Sequence, residues 1–126
     1  MNKYQVFGRP ETGSDIIEYV CHELSIDYDF IEMDTDNIKN STDLQKHNPL
    51  GRVPMIKLPN GEYMIESLAI IYHFLDKNNQ LNSSFNDEEQ AKFHEVMAFM
   101  SSSFYPVILF CLLYTSDAAD DMQSVD

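Results

Sequence analysis

At 126 residues, 44% of them hydrophobic, the chain has material for one small domain with a core, or for one domain and the beginning of another. Its formal net charge of -13 repels polyanions, which argues against nucleic acid and acidic lipid surfaces as partners. The two cysteines, Cys21 and Cys111, stand in no CxxC and no zinc-ligand spacing, so a reducing, cytoplasmic setting without a bound metal is expected.

The start "MNKYQVFG" lacks a basic stretch followed by an apolar one, so no secretory signal is read there. "YQVF", Tyr4 to Phe7, is a β-rich run ended by Gly8, and the loop "RPETGS" follows. Ile17, Val20, Cys21 and Leu24 then recur at helical spacing, which predicts an amphipathic helix over Ser14 to Leu24. "DYDFIEMD" reads as a second strand with Tyr28, Phe30 and Met33 on one side. A strand, helix, strand unit of this length defaults to a right-handed parallel crossover. From Asp34 to His47 the chain is polar, with at most a short irregular helix near Ser41 to His47.

"PMIKL" and "EYMI" are predicted strands separated by "PNG", where Asn60-Gly61 supplies the left-handed positions of a tight hairpin. Ser67 to Asp76 carries Leu68, Ile71, Tyr72 and Leu75 on one face with Ile70 and Phe74 beside them, a helix apolar enough to be buried on two sides. "KNNQLNSSFN", Lys77 to Asn86, is a polar connection. Asp87 to Ser103 opens another amphipathic helix: Asp87, Glu88 and Glu89 suit its N-terminal dipole, and Phe93, Val96, Met97 and Met100 are expected to face inward. The longest apolar run, Phe104 to Leu113, is about half of what a membrane-spanning helix needs, so no membrane anchor is expected. The order is βαβ, then ββα, then the start of an all-helical part. This is an α/β fold over residues 1–77, with a linker at 78–86, a helical segment at 87–110 and a tail at 111–126.

Pro54 follows the β-branched Val53 and stands where the third strand opens. Proline is tolerated at the first residue of a strand. A cis Val53-Pro54 bond is the sharper alternative, since it can leave the Val53 main-chain N–H and C=O unpaired by the sheet, open to an extended peptide.

The stretch "NPLGRVPMIKLPNGEYMIESLAIIYHFLD" resembles the second half of the N-terminal, thioredoxin-like domain of cytosolic glutathione S-transferases, bacterial type, and the resemblance extends over residues 3 to about 110. It implies a cis Val53-Pro54 bond and a Val53 main chain that pairs with the cysteinyl backbone of glutathione. It implies that Glu66 and Ser67 hold the γ-glutamyl end, with Glu66 receiving the ammonium. A serine at a helix start also suits a carboxylate on physical grounds, although plain capping is the commoner use. Arg52 either reaches the glycyl carboxylate or points into water. The family's reaction is addition of the glutathione thiolate to a small electrophile, with a hydroxyl donor in the loop after the first strand, and the intact protein of this family is a homodimer. The loop here offers Thr12 and Ser14. Thr12 stands three residues before Asp15, a spacing that also suits a capping box. Cys21 lies inside the helix pattern and reads as a small buried hydrophobe, and His22, His47, His73 and His94 form no ligand spacing.

The tail beginning "CLLYTSDAAD", within residues 111–121, resembles the conceptual translation of a transposon-based sequencing adapter, so the natural sequence is expected to end near Phe110. The chain then keeps the glutathione half-site and lacks most of the electrophile pocket, and weak or no turnover is expected of it. A non-catalytic interaction module on the same fold is the alternative, favoured by the unorthodox loop "RPETGS" and disfavoured by "RVP" with "ES".

Overall fold

Consecutive residues of a strand point to opposite faces of its sheet, and Val6 and Phe7 in β1 (Tyr4–Gly8) are both buried, so each face must be covered. The computed structural model describes residues 2–79 and 85–111, and it covers the two faces with different helices. β1 is followed by α1 (Ser14–Glu23), β2 (Tyr28–Glu32), α2 (Thr35–Asn40), α3 (Thr42–His47), β3 (Met55–Lys57), β4 (Tyr63–Ile65) and α4 (Ser67–Lys77). The strands form one sheet in the order β2-β1-β3-β4. β1 pairs with β2 in parallel, as the βαβ unit requires, and β3 runs antiparallel to both β1 and β4.

Val6 and Ile56 share one face with α1 and α4, which bring Ile17, Cys21, Ile70, Ile71 and Phe74 out of water. Tyr4 meets Phe74 edge to face with centroids 5.0 Å apart, and its hydroxyl is 2.9 Å from His73 Nε2, which ties β1 to α4. On the other face Phe7 and Met55 pack with Ile38 and Leu44, and Ile31, Met33, Val53 and Tyr63 close around them. Met33 therefore belongs with Ile31 on this second face, as strict alternation from residue 31 to 33 gives, and not with Tyr28 and Phe30, the side on which it is expected above. The strand ends at Glu32, and the Met33 N–H instead meets the Gly8 carbonyl at 2.8 Å.

The polar stretch after β2 holds two helices where one was expected. Asp34 caps α2 in a reciprocal box with Asn37, and Ser41 caps α3 by accepting the Leu44 N–H. One fully buried side chain, Ile38, anchors α2 to the sheet, which is why a periodicity search passes over it. The hairpin turn also differs from the expected pair of left-handed residues. Gly61 alone has positive φ, at 95°, and its N–H bonds to the Leu58 carbonyl at 2.9 Å. Pro59 and Asn60 thus occupy the central positions of an ordinary four-residue turn whose last residue is the left-handed glycine.

The described residues from Phe85 to Cys111 belong to a second unit. Its helix α5 (Asp87–Phe99) begins at an Asn86–Glu89 capping box and passes into a π-helical turn over Met100–Phe104, where the Ser102 hydroxyl donates to the Ala98 carbonyl at 2.7 Å. Of the residues expected to face inward, Phe93 and Met97 are half-buried, and Val96 and Met100 are exposed. The described residues of this unit make one helical rod, which has no second element of its own to pack against. The adapter-like tail beyond Cys111 lies outside the described residues. No helix among the described residues is long and apolar enough to cross a membrane.

Two stability measurements follow from this core. Ile38→Ala is expected to cost about 2–5 kcal/mol in urea unfolding, against less than about 0.5 kcal/mol for the exposed Asp36→Ala. Burial, with Lys77 adding to it, lowers the His73 pKa below its ordinary value of 6.5. Its neutral form is then favoured in the folded chain, and the stability this contributes, present above that value, is lost as pH falls through the folded pKa. A His73→Gln variant, compared across this acid range, is expected to lose less stability than the parent.

Candidate functional site

The strand registers decide which loops become neighbours. Phe7 pairs with Met55 and Met55 with Ile65, so the end of β1, the start of β3 and the end of β4 lie side by side. Three segments that are distant in sequence emerge from that one end: the 9–13 loop, Val53-Pro54, and Glu66-Ser67 at the start of α4.

Val53-Pro54 is cis. Just upstream, the buried Asn48 side chain donates to the Arg52 carbonyl at 2.8 Å and pins the approach to the bend. No hydrogen bond to the Val53 N–H or C=O occurs among the described residues, although its side chain packs on the core. The main chain at this point is held from one side and unpaired on the other. Arg52 itself is exposed.

Glu66 is the N-cap of α4, with φ at 77°, and its side chain makes no capping bond. Ser67 is therefore the first helical residue, and the plain N-cap use considered for it does not occur. The Glu66 carbonyl accepts the Ile70 N–H at 3.0 Å, which leaves the N–H groups of Ser67, Leu68 and Ala69 without partners among the described residues. No acidic residue stands in the first turn of α4. An open helix start of this kind favours an anion by its oriented N–H groups and its dipole.

α1 also begins without a side-chain cap, at Gly13. By contrast α2, α3 and α5 are capped by Asp34, Ser41 and Asn86. The T-x-x-D capping box considered for Thr12 is absent. The Asp15 carboxylate reaches back instead to the Glu11 N–H at 3.0 Å, and the Asp15 N–H bonds to the Thr12 carbonyl at 3.1 Å. Glu11 has φ at 62° and Glu66 at 77°, so two of the four left-handed non-glycine residues among the described residues lie at this end of the sheet. The other two, Ser25 and Asn79, directly follow the C-caps of α1 and α4, where that conformation is commonplace. Left-handed backbone other than at a helix C-terminus is strained, and such strain concentrates at functional sites.

Thr12 and Ser14 differ sharply. Ser14 is 0% exposed; its Oγ accepts the Arg9 N–H at 3.0 Å and lies 2.8 Å from the Arg9 carbonyl. Thr12 is half-buried at the surface of the same network, with Oγ1 2.7 Å from the Arg9 carbonyl and 2.8 Å from Ser14 Oγ. Gly8 is part of the arrangement, because a Cβ there would collide with the Ser14 side chain. The sequence marks Gly8 as the end of a strand and gives no sign of this contact.

The family model described as "Glutathione S-transferase, N-terminal domain" matches residues 14–77, about half of the chain. The chain belongs to the glutathione S-transferase family. It is 32% identical over 108 residues to the GST-like protein YncG of Escherichia coli (strain K12), an alignment that takes in 84% of this chain and 53% of that protein. Among solved structures it is similar to Ure2p in complex with glutathione, with a TM-score of 0.74 at 22% identity over 85% of this chain and 52% of that one. A glutathione transferase homologue from Sulfitobacter with bound glutathione superposes with a TM-score of 0.71 at 19% identity, over 83% and 51% of the two chains. These likenesses give the thioredoxin-like α/β fold with the helix that follows it. The chain spans about half the length of the relatives it matches.

Within this transferase-family chain the thiols are unequal. Burial, with Glu18 adding to it, pushes the Cys21 thiol up to about 11, whereas Cys111 is exposed. The buried thiol is kept protonated and inert. The histidines serve local contacts: His73 bonds to Tyr4, the Tyr28 hydroxyl lies 3.1 Å from His22 Nε2, and the ring of His47 lies 4.7 Å from that of Tyr63. Among the described residues no group of three or more His, Cys, Asp or Glu side chains could hold a metal ion. Thiol labelling near pH 8 is expected to modify one cysteine in the folded protein and two after unfolding in urea, with Cys21 identified by mass spectrometry as the late one.

Proposed function

We propose that this chain binds glutathione at the end of the sheet where Val53, Glu66 and Ser67 meet, and that the protein uses the bound thiolate to attack small electrophiles. The observation that carries the proposal is the register Phe7, Met55, Ile65, which sets the unpaired Val53 main chain beside the open start of α4. An extended peptide needs a main-chain donor and acceptor, and its carboxylate needs N–H groups with a hydroxyl. In this reading the cysteinyl unit of glutathione pairs with the Val53 N–H and C=O beyond the cis bond to Pro54. The γ-glutamyl carboxylate rests on the Ser67 hydroxyl and the first N–H groups of α4. The Glu66 carboxylate takes the ammonium, and Arg52, exposed beside Val53, takes the glycyl carboxylate. The bound glutathione in Ure2p and in the Sulfitobacter homologue supports the ligand class.

Thr12 is the thiol donor in this scheme. A hydrogen bond to sulfur favours the thiolate over the thiol, and each unit of lowered pKa corresponds to about 1.4 kcal/mol. The sulfur pair then forms a bond to an electrophilic carbon, with a leaving group departing or a proton taken up. Ser14 is too deeply buried to serve as that donor. The intact protein is a homodimer on this reading, its electrophile held outside the unit described, and its setting is the cytoplasm.

Calorimetric titration of glutathione into the full chain tests the site. Ser67→Ala and Glu66→Ala are each expected to weaken binding about tenfold, the value of one hydrogen bond to a charged group, while Glu23→Ala, at the far end of α1, leaves it unchanged. Equal affinity in all four proteins would remove the basis for the γ-glutamyl site and favour a non-catalytic interaction module, which has no use for one.

A further inference from the structure

We infer that Ser14 is a positioning residue that frees the Thr12 hydroxyl proton for the ligand sulfur. The inference rests on the glutathione reading and assigns the buried hydroxyl a task that reading leaves open.

Three oxygens form a closed triangle in the loop after β1. The Arg9 carbonyl lies 2.7 Å from Thr12 Oγ1 and 2.8 Å from Ser14 Oγ, and the two hydroxyl oxygens are 2.8 Å apart. Two protons serve these contacts, one from each hydroxyl. Were Thr12 the sole donor available, its proton would be committed to the Arg9 carbonyl, because a main-chain carbonyl in a part-buried network is costly to leave without a partner. Ser14 removes that commitment. It is 0% exposed, so its own proton has no route to a ligand and stays with the Arg9 carbonyl. The Thr12 hydroxyl, which donates to the same carbonyl at 2.7 Å and accepts the Ser14 N–H at 3.3 Å, can then swing away to a ligand sulfur without leaving the carbonyl unpaired. The Arg9 N–H, donating to Ser14 Oγ at 3.0 Å, holds the serine oxygen from behind. Gly8 is what admits the serine so close to β1, since any side chain there would meet it.

The network predicts a non-additive pair. The pKa of the bound glutathione thiol, read from the pH dependence of thiolate absorbance in the glutathione complex, is to be compared for the full chain, Thr12→Val, Ser14→Ala and the double variant. Thr12→Val is expected to raise the bound thiol pKa by about one unit, the loss of one hydrogen bond to the anion. Ser14→Ala is expected to raise it by a similar amount although Thr12 is intact, and the double variant to be no higher than either. Ser14→Cys, which keeps a weaker donor in the same place, is expected to fall between the parent and Ser14→Ala, and it carries the comparison if the alanine variant does not fold. A wild-type thiol pKa in a Ser14→Ala chain that still binds glutathione would overturn the positioning role and leave the glutathione site standing, and so would shifts that add in the double variant. Absence of glutathione binding by the parent chain would overturn both.

Discussion

Everything at the functional end of this molecule depends on one pairing register. β3 contributes three residues to the sheet, yet it fixes Met55 opposite Phe7 on one side and Ile65 on the other. Because side chains alternate along a strand, a slip of one residue would take Met55 out of the cluster with Phe7, Ile38 and Leu44 and turn it to the opposite face. The same slip would move Val53 away from the start of α4. Core packing and site geometry are thus held by one constraint, and apolar burial on the α2 and α3 face supplies the energy that keeps the polar groups in line.

The polar groups follow a consistent division. Three helices are capped by side chains, at Asp34, Ser41 and Asn86. The two that begin at the site, at Gly13 and Glu66, are not. At α4 the first N–H groups are left open, which costs a folded chain the stability a cap would supply, about 1 kcal/mol. Such a cost is understandable where a ligand's carboxylate takes the place of the cap. The left-handed backbone at Glu11 and Glu66 belongs to the same pattern, in which local comfort yields to the positioning of groups at one end of the sheet.

The parts of this architecture that were legible in the sequence are those written in repeated apolar residues. Ile17 and Cys21 on α1, Ile70, Ile71 and Phe74 on α4, and the two short strands around "PNG" are recovered from periodicity and turn residues. α2 escaped because a six-residue helix with one buried side chain has no period to detect, although Asp34 and Asn37 carry its capping signal. Met33 belongs with Ile31 by strict period-two alternation, so grouping it with Tyr28 and Phe30 miscounts the period and reflects no gap in the sequence signal. At the site, "RVP" and "ES" stand out through their family resemblance. The contrast between Thr12 and Ser14 does not, since it arises from how the loop folds back on Gly8 and Arg9. The buried polar triangle is a product of tertiary closure and leaves no spacing to read.

The most direct measurement is a two-dimensional amide NMR titration of the full chain with glutathione, following each main-chain N–H by position. The account predicts that, within residues 2–79, shifts are confined to the 9–13 loop, Val53 and the first turn of α4 at Ser67, Leu68 and Ala69, with the C-terminal half of α1 unmoved. Shifts centred on any other surface, or none at Val53 and Ser67 when glutathione is bound, would contradict it.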